Sequence, residues 1–229
     1  MKRMGVLGGI SAQATMDFEA RVHRVSQRLV PQHWNRGYPP MVVWYHRRLP
    51  VRVGDDGAPL LPRQIDPELV EAAAWLGRVA DFLVIPCNTA HIGLREITEA
   101  AGCPVLSMID ITLDEIARRR LTRVGVLGFS GASPLYLDAL RERGIGSETI
   151  DATEQSRLDA AIRAVMEGGD GKTESETALD VVAGLRARRV EATVLGCTEI
   201  PLLLPDDGDA RDLINPAALL AEAAVRFAA

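Results

Sequence analysis

Cysteine is scarce in this chain: three residues in 229, Cys87, Cys103 and Cys197. No two are spaced Cys-x-x-Cys, which excludes a local thioredoxin-like redox pair. Histidine is nearly as rare, at four (His23, His33, His46 and His91), and none falls in His-x-x-x-His spacing. A zinc site would want more ligands than Cys87, His91 and Cys197 supply, so no metal is expected. No sustained apolar segment follows the two basic residues of "MKRMGVLGGI", so neither a signal peptide nor a membrane span is expected. A reducing cytoplasm with free thiols is the expected setting. There is no basic stripe, and the formal net charge is −5, so nucleic acid is not an expected partner.

What is present is ordinary globular composition, 47% hydrophobic and 25% charged, enough for one large or two small domains. Short apolar runs bounded by Gly or Pro read as buried strands: "MGVLG" (4–8), "MVVWY" (41–45), "DFLVIP" (81–86), "PVLSM" (104–108), "RVGVLG" (123–128) and "ATVLG" (192–196). Helical patterns lie between them. The stretch 66–80 has Asp66 as N-cap, Pro67 at the first helical position and an apolar face of Leu69, Ala73, Leu76 and Ala80. The spacing also predicts helices over 133–144, ending at Gly144, over 156–169, and over 215–228 with Asn215 as cap. This alternation implies α/β architecture with mainly parallel sheets.

The chain repeats itself. "RMGVLGGISAQAT" matches "RVGVLGFSGASPL", and "LVIPCNTAHIGL" matches "TVLGCTEIPLLL". The reading is two similar α/β domains related by a pseudo-twofold axis, with a cleft between them. The first would comprise 1–114 plus 211–229, closed by the C-terminal helix, and the second 115–210. Ligands in such sheets bind beyond the carboxyl ends of the strands, so each domain would present one cysteine.

A lone cysteine is most often a small hydrophobe, and Cys103 in "AGCPVL" is read so. Cys87, followed by Asn88 and Thr89, and Cys197, followed by Thr198 and Glu199, sit instead where an apolar run meets polar residues. A helix N-terminus there would favour thiolate and would supply amides to a carboxylate. Two thiols facing one carbon have a specific use. One removes a proton from one face and the other returns a proton to the opposite face, which inverts a stereocentre without a cofactor. Asn88, Thr89 and Thr198 are candidate donors to the substrate carboxylate.

"MGVLGGISAQAT", "PCNTAH" and "GCTEIPLLL" together resemble the aspartate/glutamate racemase family, in its aspartate racemase branch. The resemblance implies catalytic cysteines at Cys87 and Cys197, two α/β domains, no pyridoxal phosphate, no metal, a small amino acid or dicarboxylate substrate, and a homodimer. It places Gly9 and Ser11 of the glycine loop at the substrate. It also implies a carboxylate-binding Arg52, in "HRRLPVRV", and a substrate-facing Lys172, in "GGDGKTESE". A solvated Lys in a polar loop competes with the latter. The Gly-Lys-Thr is not a phosphate loop, because Met166 stands where the first Gly would be and no strand precedes it. His91 is read either as orienting the site or as a core histidine satisfied by backbone, and "RRR" at 118–120 as a solvated helix end.

The departures concern the substrate. Ile10, Ala12 and Gln13 alter the glycine loop. Phe129 and Ala132 replace two threonines of the second domain, with Ser130 and Ser133 close by. His46, Arg47, Val51 and Val53 depart from the family's Arg loop. Glu199 stands where glutamate racemases carry His, which points to the aspartate branch. Two other readings stay open: a racemase or isomerase of the same superfamily for another amino acid, a hydantoin or maleate, and a non-catalytic small-molecule binding protein.

Overall fold

The computed structural model describes residues 1–55, 59–131, 133–169, 171–205 and 210–229. The chain divides into two compact units, Met1–Met108 with Ala217–Ala229, and Ile109–Pro216. The sequence patterns place these divisions at 114/115 and 210/211, six residues away at each.

In the first unit β1 (Met4–Gly8), β2 (Met41–Tyr45), β3 (Phe82–Val84) and β4 (Val105–Leu106) form one sheet in the order β2-β1-β3-β4. In the second, β5 (Arg123–Leu127), β6 (Gly146–Glu148), β7 (Ala192–Leu195) and β8 (Leu213–Ile214) form another, in the order β6-β5-β7-β8. Every pairing is parallel, with Val6 beside Val84 in one sheet and Val126 beside Val194 in the other. The two orders are the same order, so the repeat in the sequence is a repeat of topology. The architecture is α/β, as the alternation implied.

Parallel strands need crossovers, and helices supply most of them. In the first unit these are α1 (Ala12–Leu29), α2 (Pro67–Gly77) and α3 (Leu94–Ala101). The helix α4 (Met108–Arg118) connects β4 to β5, and in the second unit the crossovers are α5 (Pro134–Glu142), α6 (Ala152–Met166) and α7 (Ser175–Ala187). The helix α8 (Pro216–Ala228) returns to the first unit, where Phe227 packs edge-on against Phe82 of β3 at 4.8 Å between ring centroids.

Local signals explain most boundaries. The Asp66 side chain accepts from the Glu68 amide at 2.9 Å, and Pro67 opens α2, which frees that helix from an unsatisfied donor. Gly144, at φ +68, ends α5 in the left-handed region. The helix predicted to begin at 156 begins at Ala152, because Asp151 and Glu154 form a reciprocal capping box. The strands β6 and β8 were not foreseen. The residues Gly146–Glu148 carry no apolar side chain, and β8 has only two residues, so neither has a hydrophobic period to read.

Each sheet buries its strands against helices of its own unit. Leu7, Leu83 and Ile85 pack with Leu69, Ala73 and Leu76 of α2 and Ile97 of α3. Leu127 and Leu195 pack with Leu158, Ile162 and Val165 of α6 and Val181, Val182 and Leu185 of α7. Each Leu, Ile and Val side chain among them contributes about 1.5–3 kcal/mol when fully buried. These cores hold the carboxyl ends of the central strands rigid, and that is where the polar residues collect.

Candidate active site

Cys87 lies three residues beyond β3, and Cys197 two residues beyond β7, at the equivalent strand end of the equivalent sheet. Both are half-buried, and no disulfide joins the cysteines. A five-residue 3-10 helix (Thr89–Gly93) follows Cys87 and continues directly into α3, whereas a four-residue 3-10 helix (Ile200–Leu203) follows Cys197. The short turn after Cys197 aligns few peptide dipoles, so it offers that thiol less than the full helix field the sequence suggests.

Around Cys87 the first unit gathers several predicted residues. Asn88 is buried and Thr89 opens the turn. Gly9 and Ser11 follow the neighbouring strand β1. Gly9 has φ +75, and a Cβ there would lie 2.3 Å from the Tyr45 Cα, so β2 is approached more closely than any side chain allows. The Gly9 amide donates to Thr15 Oγ1 at 2.8 Å, and Ser11 caps α1 by accepting from the Ala14 amide at 3.4 Å. These two residues therefore hold the loop's shape through their own partners.

His91 resolves into its structural reading. Its Nε2 accepts from the Met108 amide at 3.0 Å, which leaves the ring proton on Nδ1 to be donated to the Cys87 carbonyl at 2.9 Å. The ring thus pins the Cys87 backbone and has both nitrogens committed to main chain. Cys103 packs at the edge of the first core, where burial and then the Asp81 carboxylate push its thiol up.

Arg52 sits on an antiparallel excursion after β2, marked by bridges from Val51 to Ile65 and from Val53 to Pro59. It lines a cleft of about 400 Å³ with Arg48, Asp66 and Glu68. The two arginines differ. Arg48 is paired with Glu68 and lies 3.9 Å from Asp66. Arg52 donates to the neutral Gln64 Oε1 at 3.1 Å, and no carboxylate among the described residues offsets its charge. In the first unit Gln13 Oε1 and His46 Nε2 are buried without a hydrogen-bond partner among the described residues. They lie just beyond β1 and β2, and such atoms mark places that a ligand or water completes. His46, only 4% exposed, is 3.8 Å from Asp66, too far for a hydrogen bond.

In the second unit Thr198 is buried beside Cys197, and Lys172 is exposed on a turn whose Gly171 packs against Leu202 and Leu203. Gly196 comes so near β5 that a Cβ would meet the Leu127 carbonyl at 2.4 Å, which fixes the backbone that delivers Cys197. Of the altered threonine positions, Phe129 is partly exposed and Ala132 lies outside the described residues. The neighbouring Ser130 amide is taken by Asp159 at 2.8 Å.

One residue was read from the sequence only as a branch marker. Glu199 is 2% exposed, and its Oε2 accepts from the Cys197 thiol at 2.9 Å and from the Thr198 hydroxyl at 3.3 Å. A carboxylic residue two positions after a cysteine carries no signal by itself. Only the turn that brings Ile200 N–H to the Cys197 carbonyl folds it back onto the thiol.

With this geometry in view, the comparisons with known proteins define the class. A family model described as Asp/Glu/Hydantoin racemase matches residues 7–224. The chain belongs to that family and is accordingly an isomerase of the racemase type. It is similar to the broad specificity amino-acid racemase RacX of Bacillus subtilis (strain 168), 23% identical over 225 residues, 97% of this chain and 96% of that one. Its fold matches the Picrophilus torridus aspartate racemase with a TM-score of 0.79 at 23% identity, covering all of this chain and 94% of the other. It also matches an aspartate racemase homologue from Pyrococcus horikoshii OT3, TM-score 0.75 at 20% identity, covering 100% and 99%. Among the described residues no helix is long and apolar enough to cross a membrane, and no group of three or more His, Cys, Asp or Glu is placed to hold a metal.

Proposed function

We infer that the protein is a cofactor-independent amino acid racemase of the aspartate/glutamate type, using Cys87 and Cys197 as its two bases. The observation that carries the reading is the matched placement of the two thiols, each beyond the same strand of a sheet with the same order. The thiolate of one cysteine takes the α-proton and becomes a thiol. The thiol of the other protonates the opposite face and becomes the thiolate, so atoms and charge balance and the reverse reaction uses the same groups. The α-proton is weakly acidic, so the carbanion must be stabilised by donors on the substrate carboxylate. Asn88, Thr89 and Thr198 take that role in this reading, with Arg52 and Lys172 as the cations and Gly9 and Ser11 shaping the loop. Arg52 meets the neutral Gln64 and no carboxylate among the described residues, which supports its part. The active form is a homodimer in the cytoplasm.

The test is α-proton exchange in heavy water with L- and D-aspartate. Cys87→Ser and Cys197→Ser should each lose racemisation by about 10²-fold or more. Full racemisation by either single variant would sink the two-base assignment.

A second reading changes the substrate. His46 buries an imidazole where the family's Arg loop begins with Asn, and the relative named above is a broad specificity amino-acid racemase. A panel of enantiopure amino acids, read by chiral chromatography, separates the two. Aspartate and glutamate turned over more slowly than an uncharged or basic amino acid would favour this second substrate class.

A further inference from the structure

The two cysteines have unlike neighbours. Two residues after Cys87 stands Thr89, and two residues after Cys197 stands Glu199. The carboxyl of Glu199 is almost wholly buried, at 2% exposure, and it is turned towards Cys197 by two donors to the same oxygen. Its other oxygen, Oε1, is buried without a hydrogen-bond partner among the described residues. The backbone allows no easy escape. Glu199 opens the turn whose Ile200 and Leu203 are anchored in the second core, and its carbonyl accepts from the Leu202 amide at 3.0 Å. Within the second unit, α6 and α7 pack on this turn through apolar side chains, Leu158, Ala161, Ile162 and Val165, and Ala178, Val181, Val182 and Leu185. The charged groups on the adjoining turn are Lys172 and Glu174. The titratable group in hydrogen-bond contact with the carboxyl is the Cys197 thiol itself.

Two anions 2.9 Å apart in a place sheltered from water repel strongly, and such pairs lose their protons in two separate steps. A base at Cys197 therefore requires that Glu199 not be a second anion. We propose that Glu199 is the positioning partner of Cys197 and shares one proton with it. In one form the thiol donates to the carboxylate. In the other the proton has moved from Sγ to Oε2, leaving thiolate and carboxylic acid, with no other group gaining or losing a proton. The form with the thiolate is the base: the α-proton goes to Sγ, which leaves a thiol beside a carboxylic acid and no charge on the pair. That neutral pair is the acid: Sγ gives its proton to the carbanion and the pair returns to a single negative charge, so two adjacent anions never form. The equivalent position after Cys87 is Thr89, whose side chain carries no carboxyl, so the two halves of the reaction are chemically unequal. This inference rests on the two-base reading for its catalytic meaning, while the proton sharing can be measured without turnover.

The experiment is the pH dependence of iodoacetamide alkylation at Cys197, resolved from Cys87 and Cys103 by peptide mass spectrometry, in wild type and Glu199→Gln. The wild-type Cys197 profile should need two ionisations. Glu199→Gln removes the negative neighbour, so its profile should become a single step at lower pH. Cys197 labelling below the wild-type midpoint should rise about 10-fold, with Cys87 unchanged, for a shift of about one pH unit. The kcat for aspartate should fall about 10²-fold with KM little changed. A one-step wild-type profile overturns the proposal without need of any variant. So does an unchanged Cys197 profile in Glu199→Gln, or a shifted profile with unchanged kcat. A shifted profile in a protein whose wild type exchanges no α-proton supports the shared proton and strikes the racemase reading instead.

Discussion

At the scale of single residues, the polar groups beyond the strands separate into those that build and those that react. His91 belongs to the first kind. Its ring bridges the Cys87 carbonyl and the Met108 amide, two main-chain groups that would otherwise be left without it. Removing one partner of a buried hydrogen bond costs about 1–3 kcal/mol. His91→Ala should therefore lower unfolding stability by about 2 kcal/mol in urea titrations, with the denaturant slope unchanged. The pH profile of turnover should keep its shape, because both ring nitrogens are engaged by main-chain groups. A changed profile with unchanged stability would return His91 to the chemistry. The sequence left both of its roles open, since "PCNTAH" fixes the spacing of His91 from Cys87 but not what the far side of the ring meets.

At the scale of elements, the helix ends show where charge acts through structure. The "RRR" at 118–120 closes α4, and two of its arginines turn back onto Glu115, Arg118 at 2.6 Å and Arg119 at 2.6 Å. The hydrogen bond from Arg118, and then that from Arg119, hold the Glu115 carboxyl at about 2, against an ordinary value of 4.5. A carboxyl depressed in the folded state stabilises the protein above its unfolded value and loses that contribution as pH falls through its folded value. The stability gap between wild type and Glu115→Gln should thus be full above about pH 4.5 and close towards pH 2. Urea unfolding across that range measures it, and a gap that does not narrow would remove the arginine cluster's role. The element signals legible in the sequence are those with a local cause: Asp66-Pro67 opening α2, Gly144 closing α5, and apolar runs for β1, β2, β3, β4, β5 and β7. The capping box of α6 was legible too, in "DATE", but the apolar period begins later and drew the predicted boundary with it. β6 and β8 exist only because β5 and β7 offer them open edges to pair with.

At the scale of the molecule, the repeat in the sequence is a repeat of strand order, and each unit carries its own core. The first unit leaves large apolar side chains uncovered, among them Trp44 on the edge strand β2 and Trp75 on α2, at 42% and 52% exposure. An exposed edge strand is an invitation to pairing, and apolar patches of this kind mark association sites. Under the homodimer reading, sedimentation equilibrium should return twice the mass of the chain. Trp75→Glu should shift the species towards monomer without unfolding it. A wild-type monomer at micromolar concentration would remove the dimer.

The sequence by itself determined the α/β class, the duplicated pattern, the family and the two cysteines. All of these are written in periods, in spacings and in residue types that do not depend on what lies opposite. Tertiary structure decided the partners. It gave the His91 ring to two main-chain groups, set Arg52 against the neutral Gln64 while Arg48 took Glu68, and brought the buried Glu199 onto the Cys197 thiol. The physical reason is that hydrogen bonds and ion pairs act over about 3 Å and depend on direction. A chain's order fixes which groups it carries, and only the folded backbone fixes which of them come that close.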